Sequence, residues 1–150
     1  MGSTHTNILL HIVFSTKERA PMIQDELRDR LYRFMGGAIR SNQGVLHAIG
    51  GTTDHVHLLV GWNATGTIAR LLQDIKGGSS RWVHETFPGH SSFAWQTGYA
   101  AFSVSQSQSG RVRRYIENQE EHHRKHSFKD ELQQLLKAHG IDFDERYLWE

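Results

Sequence analysis

The chain contains no cysteine and only two prolines among its 150 residues. The missing thiols exclude disulfides, thiolate nucleophiles and cysteine-based zinc sites. A reducing, cytoplasmic setting fits that composition and is the expected location. No apolar run approaches the roughly 18 residues of a membrane span, so no membrane partner is expected. The opening Met1-Gly2-Ser3-Thr4-His5 lacks the basic and apolar regions of a secretory leader, so none is expected either. Net charge is only +1, which by itself points to no partner.

What is present is an ordinary globular composition, 37% hydrophobic and 10% aromatic, of a length that fits one domain over 1–150. The charge is unevenly spread. Residues 61–115 carry 6 basic and 2 acidic side chains, whereas 116–150 carry 5 and 9. A basic zone in a near-neutral chain is a candidate polyanion contact, or a solvated surface that pairs with the acidic tail. Histidine is abundant, at 11 copies. It is the side chain best suited to metal ligation and to proton transfer near neutral pH.

The patterning predicts strands over 7–15, 45–50, 55–62 and 98–105. A helix period (Ile23, Leu27, Leu31, Phe34, Ala38) follows Pro21 and stops near Gly44. Thr67 caps a second helix carrying Ile68, Leu71, Leu72, Ile75 and Trp82, with a kink expected at Gly77-Gly78. A third helix is expected from about Gly110 to Lys125, and a fourth over 128–139 (Phe128, Leu132, Leu135, Leu136) before Gly140. The short acidic tail ends in Tyr147, Leu148 and Trp149. The order β-α-β-β-α-β predicts an α+β, ferredoxin-like (RRM-like) antiparallel sheet with helices on one face and an added C-terminal helix that bears a tyrosine.

Two features carry chemistry. In His55-Val56-His57, strand alternation puts both imidazoles on one face and Val56, Leu58, Val60 and Trp62 on the other. Two such rings can chelate one metal, or can be plain surface histidines. On the third helix Tyr115 and Gln119 are four residues apart and share a stripe, beside the docking residues Val112 and Ile116. A tyrosine hydroxyl can attack phosphorus and hold the product covalently. Its ordinary pKa near 10 leaves about a thousandth ionised at neutral pH, so something must activate the reaction. A divalent ion on the two imidazoles, with an amide oxygen from Gln119, would polarise a phosphate. That set suits Mg²⁺ or Mn²⁺, and no fourth strong ligand for zinc is evident.

At these residues the chain resembles the IS200/IS605-like single-tyrosine transposases, with the REP-associated tyrosine transposases as close relatives. His55-Val56-His57 resembles the HUH motif, and Tyr115-Ile116-Glu117-Asn118-Gln119 the matching tyrosine helix. The likeness extends through 13–17, 54–60, 76–82, Gly98-Tyr99 and 115–128. It implies cleavage and rejoining of single-stranded DNA at hairpin-bearing element ends. Tyr115 would form a 5′-phosphotyrosine link, and His55, His57 and Gln119 would hold the ion. It also implies a homodimer in which one subunit's tyrosine helix completes the other's site.

Other residues have two readings each. Asp54 orients an imidazole or simply makes a turn. His122, His123 and His126 are expected to be exposed, with His122 or His123 as substitute ligand or proton shuttle. Lys17, Arg19, Arg70, Lys76, Arg81, Arg111, Arg113 and Arg114 are candidate phosphate contacts. Trp62, Trp82, Trp95 and Tyr99 are candidate base-stacking platforms, with core packing favoured for Trp82. The competing functions are a domesticated or non-catalytic nucleic-acid binder, and a metal-dependent phosphoesterase that uses water.

Overall fold

The computed structural model describes residues 2–146 and 148; Tyr147 and Trp149 of the tail lie outside them. Strands β1 (Ile8–Ser15), β2 (Val45–Gly51), β3 (His55–Trp62) and β4 (Ala100–Val104) form one sheet in the order β2-β3-β1-β4. Every neighbouring pair is antiparallel. With α1 (Asp25–Ser41) and α2 (Ile68–Thr86), this is the expected ferredoxin-like order.

Alternation divides the sheet cleanly. Leu10, Ile12 and Phe14 of β1 and Val56, Leu58, Val60 and Trp62 of β3 face α1 and α2. There they meet Leu27, Leu31, Met35 and Ile39 from one helix and Leu71, Leu72, Ile75 and Val83 from the other. Each fully buried aliphatic side chain contributes about 1.5–3 kcal/mol, so this layer holds the fold.

The opposite face is covered too, by three later helices: α3 (Ser109–Glu117), α4 (Gln119–His122) and α5 (Phe128–Ala138). Ile116, Val112 and Tyr115 of α3 pack on Leu9, Ala48 and Leu59. Phe128, Leu132 and Leu136 of α5 pack on Val13 and Phe102. The strip of sheet between these two patches carries His11, His55 and His57.

Two expectations are corrected. Helix α2 runs unbroken through Gly77-Gly78. A Cβ on Gly78 would lie 3.3 Å from Phe34, whose ring stacks on Trp82, so this glycine serves close helix packing and not a kink. The third helix, in contrast, does break. Asn118 leaves helical geometry (φ −103°, ψ 25°), and Gln119 turns inward to open α4.

Gly50 sets how closely the tyrosine helix approaches. It pairs with His57, and a Cβ there would come within 2.1 Å of the Ile116 carbonyl oxygen. Backbone cannot give way as a flexible side chain can, so Gly50→Ala should displace α3 and cost about 1–3 kcal/mol. Gly77 is exposed, with nothing within 4 Å of the added methyl. Gly77→Ala should therefore raise stability by about 0.5–1 kcal/mol. Chemical denaturation of the two variants checks both signs.

Candidate functional site

The β1–β3 register aligns Ser15 with His55 and Val13 with His57, which places His11 diagonally beside His57. His55 is 1% exposed and His57 is fully buried. Helix α3 brings Tyr115 over the pair in the same chain, its ring centroid 5.7 Å from that of His57. Helix α5 brings Glu131 into the middle.

Glu131 is the centre of the cluster. Its Oε1 lies 2.8 Å from His57 Nε2, 3.2 Å from His123 Nε2 and 3.5 Å from His55 Nε2. Its Oε2 accepts a short hydrogen bond from the Tyr115 hydroxyl. His122 Nε2 lies 3.2 Å from Oε2 but is not aligned for a hydrogen bond. Gln119 Oε1 lies 3.1 Å from His55 Nε2 and 3.0 Å from His123 Nε2.

The electrostatics follow from burial around one anion. Burial raises the Glu131 carboxyl, but hydrogen bonds from His123, His57 and Tyr115 outweigh it and keep the group ionised. Burial and then the Glu131 charge push the Tyr115 phenol above its ordinary value, so in this arrangement it is a hydrogen-bond donor and not a nucleophile. Partial burial opposes charge on His123, but its bond to Glu131 prevails and raises its pKa. Burial dominates at His57, lowered to about 4, and at His11, lowered to about 3.

The cluster fits a cation. One atom each from His55, His57, His123 and Glu131 lies within 4.8 Å of every other. Asp54 Oδ1 is 2.7 Å from His55 Nδ1, with Thr52 Oγ1 donating to the same carboxylate at 2.9 Å. An ionised carboxylate only accepts, so in a neutral His55 the proton sits on Nδ1. Nε2 then presents a lone pair to Gln119 Oε1 and Glu131 Oε1. Acceptors converging on one point repel unless a proton or a metal ion lies between them. Asp54 is thus an orienting partner in this geometry as well as a turn residue.

His55, His57, Gln119 and Tyr115 are brought together as their sequence pattern suggests. His123, expected to be exposed, is drawn in, its side chain 11% exposed. Glu131 and His11 were not singled out from sequence. Glu131 did leave a signal: a charge inside the apolar stripe of α5, three residues past Phe128 and four before Leu135. His11 is a polar residue flanked by apolar ones in β1, on the face away from α1 and α2.

The cation candidates do not gather here. Arg111, Arg113 and Arg114 lie on the exposed side of α3, and Lys17 and Arg19 in the exposed turn after β1. Arg81 and Arg70 belong to α2 behind the sheet, and Arg70 pairs with Asp74. Lys76 Nζ donates to the Gln96 and Gly98 carbonyls at 2.8 and 2.5 Å, so it ties down the loop before β4. Trp62 is buried, and Trp82 and Trp95 pack against the core. Tyr99 remains open, at 45% exposure.

The site thus sets a tyrosine beside a buried His-x-His pair and a glutamine on a ferredoxin-like sheet. Residues 4–119 match the family described as "Transposase IS200 like", and the chain belongs to that family. Its fold is similar to a candidate transposase from Deinococcus radiodurans R1 (27% identity, TM-score 0.62, covering 79% of this chain and 98% of that one). It is also similar to a REP-associated tyrosine transposase bound to a REP hairpin (11% identity, TM-score 0.52, 77% and 68% covered). None of the curated proteins matches the chain. No described helix is long and apolar enough to cross a membrane.

The buried rings predict the acid response of the metal-free protein. Unfolded, His11 and His57 take protons near pH 6.5; folded, they refuse them until about pH 3 and about pH 4. The unfolded state therefore binds more protons as pH falls through this window, and stability drops. Denaturant titrations should show a loss of about 2–3 kcal/mol between pH 7.5 and pH 5.5. Unchanged or increased stability at pH 5.5 would contradict neutral burial.

Proposed function

We propose that this protein cleaves and rejoins single-stranded DNA at hairpin-bearing element ends, with Tyr115 as nucleophile. The carrying observation is that the Tyr115 hydroxyl converges on the buried His55, His57, Gln119 and Glu131 group within one chain. Tyr115 Oη would bond to phosphorus as the P–O3′ bond breaks, leaving a 5′-phosphotyrosine and a free 3′-OH. Attack by another 3′-OH reverses the step and releases the phenol. A relative held on a REP hairpin supports a hairpin substrate.

His55, His57 and Gln119 would hold a divalent ion, with His123 and Glu131 in reach. Its chemistry, when bound, is to polarise the scissile phosphate and oppose the charge that develops on it. The expected ions are Mg²⁺ and Mn²⁺; a set with three imidazoles weights the choice towards Mn²⁺. The phenol cannot ionise readily while the Glu131 carboxylate accepts its hydrogen bond. The scissile phosphate would therefore take the place of the Glu131 carboxylate against Tyr115. With the site buried beneath α5, DNA entry requires that helix to shift. Arg111, Arg113 and Arg114, together with Lys17, Arg19 and Arg81, are proposed to contact the DNA backbone outside the site, and Tyr99 to stack on an unpaired base.

The family resemblance implies a homodimer with exchanged tyrosine helices. Here Tyr115 already lies against its own His57, so we read it as serving its own chain whether or not two chains pair. A water-using phosphoesterase would leave that phenol only its structural bond to Glu131.

Two experiments test this. Incubation with a hairpin-bearing single strand and Mn²⁺ should give a denaturation-resistant protein–DNA adduct. Tyr115→Phe should abolish the adduct and keep hairpin binding; continued cleavage by that variant would overturn the assignment. Mixing Tyr115→Phe with His57→Ala should yield no more adduct than either alone. Restored cleavage in the mixture would place the tyrosine in the partner's site.

A further inference from the structure

The two metal-site imidazoles are oriented by different kinds of partner. His55 Nδ1 faces a carboxylate, which can only accept. His57 Nδ1 faces another imidazole: His11 Nε2, at 2.8 Å. Both rings are buried, His11 at 3% exposure and His57 at 0%. They are tilted by 30° with centroids 5.0 Å apart, and Phe102 and Tyr115 stand edge-on to His11. Packing on this scale holds His11 in place, so its Nε2 stays directed at His57.

The geometry points to His11 as a positioning residue that sets which nitrogen of His57 carries the proton, and so whether Nε2 can give its lone pair to an ion. This rests on the ion-binding reading above. In the arrangement seen here, His57 Nε2 lies 2.8 Å from the ionised Glu131 and is the donor in that bond. A neutral His57 then has a bare Nδ1, which accepts the Nε2 proton of His11. To ligate an ion, His57 must free Nε2 and carry its proton on Nδ1, where it needs an acceptor. His11 becomes that acceptor if its own proton resides on Nδ1. The exchange balances. The His11 Nε2 proton passes to His57 Nδ1, the His57 Nε2 proton leaves to solvent, and His11 Nδ1 takes one from solvent. Both rings are neutral before and after.

A carboxylate could not do this, since it offers no donor for the ion-free state. An imidazole presents either character from the same atom. The pairing therefore supports both the state latched by Glu131 and the ion-loaded state, and it makes the tautomers of His11 and His57 change together. Partners of this kind on a ligating histidine are worth about 10–100-fold in metal affinity.

The test is read on the intact chain without DNA. In ¹⁵N-histidine spectra, titration with diamagnetic Zn²⁺ should move the His57 proton from Nε2 to Nδ1 and switch the His11 tautomer in step. Mn²⁺ affinity, from the loss of the free-ion electron paramagnetic resonance signal, should fall about 10–100-fold in His11→Phe. His11→Gln, whose amide can accept or donate after a flip, should bind within a few-fold of the parent. Parent-like Mn²⁺ affinity in a folded His11→Phe overturns the proposal, as does a His11 tautomer that is unmoved by ion binding. A parent chain that binds no ion also overturns it. If His11→Phe does not fold, the paired switch in the parent and the Gln rescue decide the matter. Coupled switching with no DNA adduct would instead sink the strand-cleavage reading and leave His11 in its role.

Discussion

One ionised carboxylate buried among imidazoles organises the later half of this protein. Glu131 is 3% exposed, yet it stays charged because His57, His123 and Tyr115 surround it with hydrogen bonds. Removing such an anion from water costs several kcal/mol, and only multiple directed partners offset it. Those partners come from β3, α3 and the segment after α4, so one side chain ties together elements far apart in sequence. The apolar contacts of Phe128 and Leu136 hold α5 on the sheet, and the carboxylate determines where along the sheet it rests.

Under the proposed reaction, the same contact would make this a resting arrangement. A nucleophilic phenol needs a neighbour that favours its ionised form; Tyr115 has an anion beside it. The imidazoles are turned towards that anion in the positions where an ion would sit. On the proposed reading, Glu131 occupies the ground that cation and phosphate would share. Gly50 contributes from the other side, since its missing side chain lets the α3 backbone come down onto the strand opposite His57.

Much of the scaffold was legible in the sequence because it follows from two periodicities. Alternation in 55–62 separated the histidines from the core residues, and the helical stripe of 68–83 placed α2 on the apolar side. The errors fell where tertiary demands override local pattern. Gly77-Gly78 reads as a weak point but serves a close approach by Phe34. Residues 110–125 read as one helix, but Gln119 is drawn inward to His55 and His123, and the helix breaks at Asn118. Trp62 and Lys76 read as nucleic-acid contacts, but one fills the core and the other binds two carbonyls.

The sequence by itself determined the ferredoxin-like order, the shared face of His55 and His57, and the tyrosine–glutamine pair. Each of these depends on residues near one another in the chain, where spacing alone fixes direction. Tertiary structure alone decided that His11 backs His57, that His123 and Glu131 enter the cluster, and that Tyr115 meets the imidazoles of its own chain. Those relations join residues 46 to 76 positions apart, through strand register and helix docking. Such long-range pairing is set by which surfaces bury one another, and no local period records it.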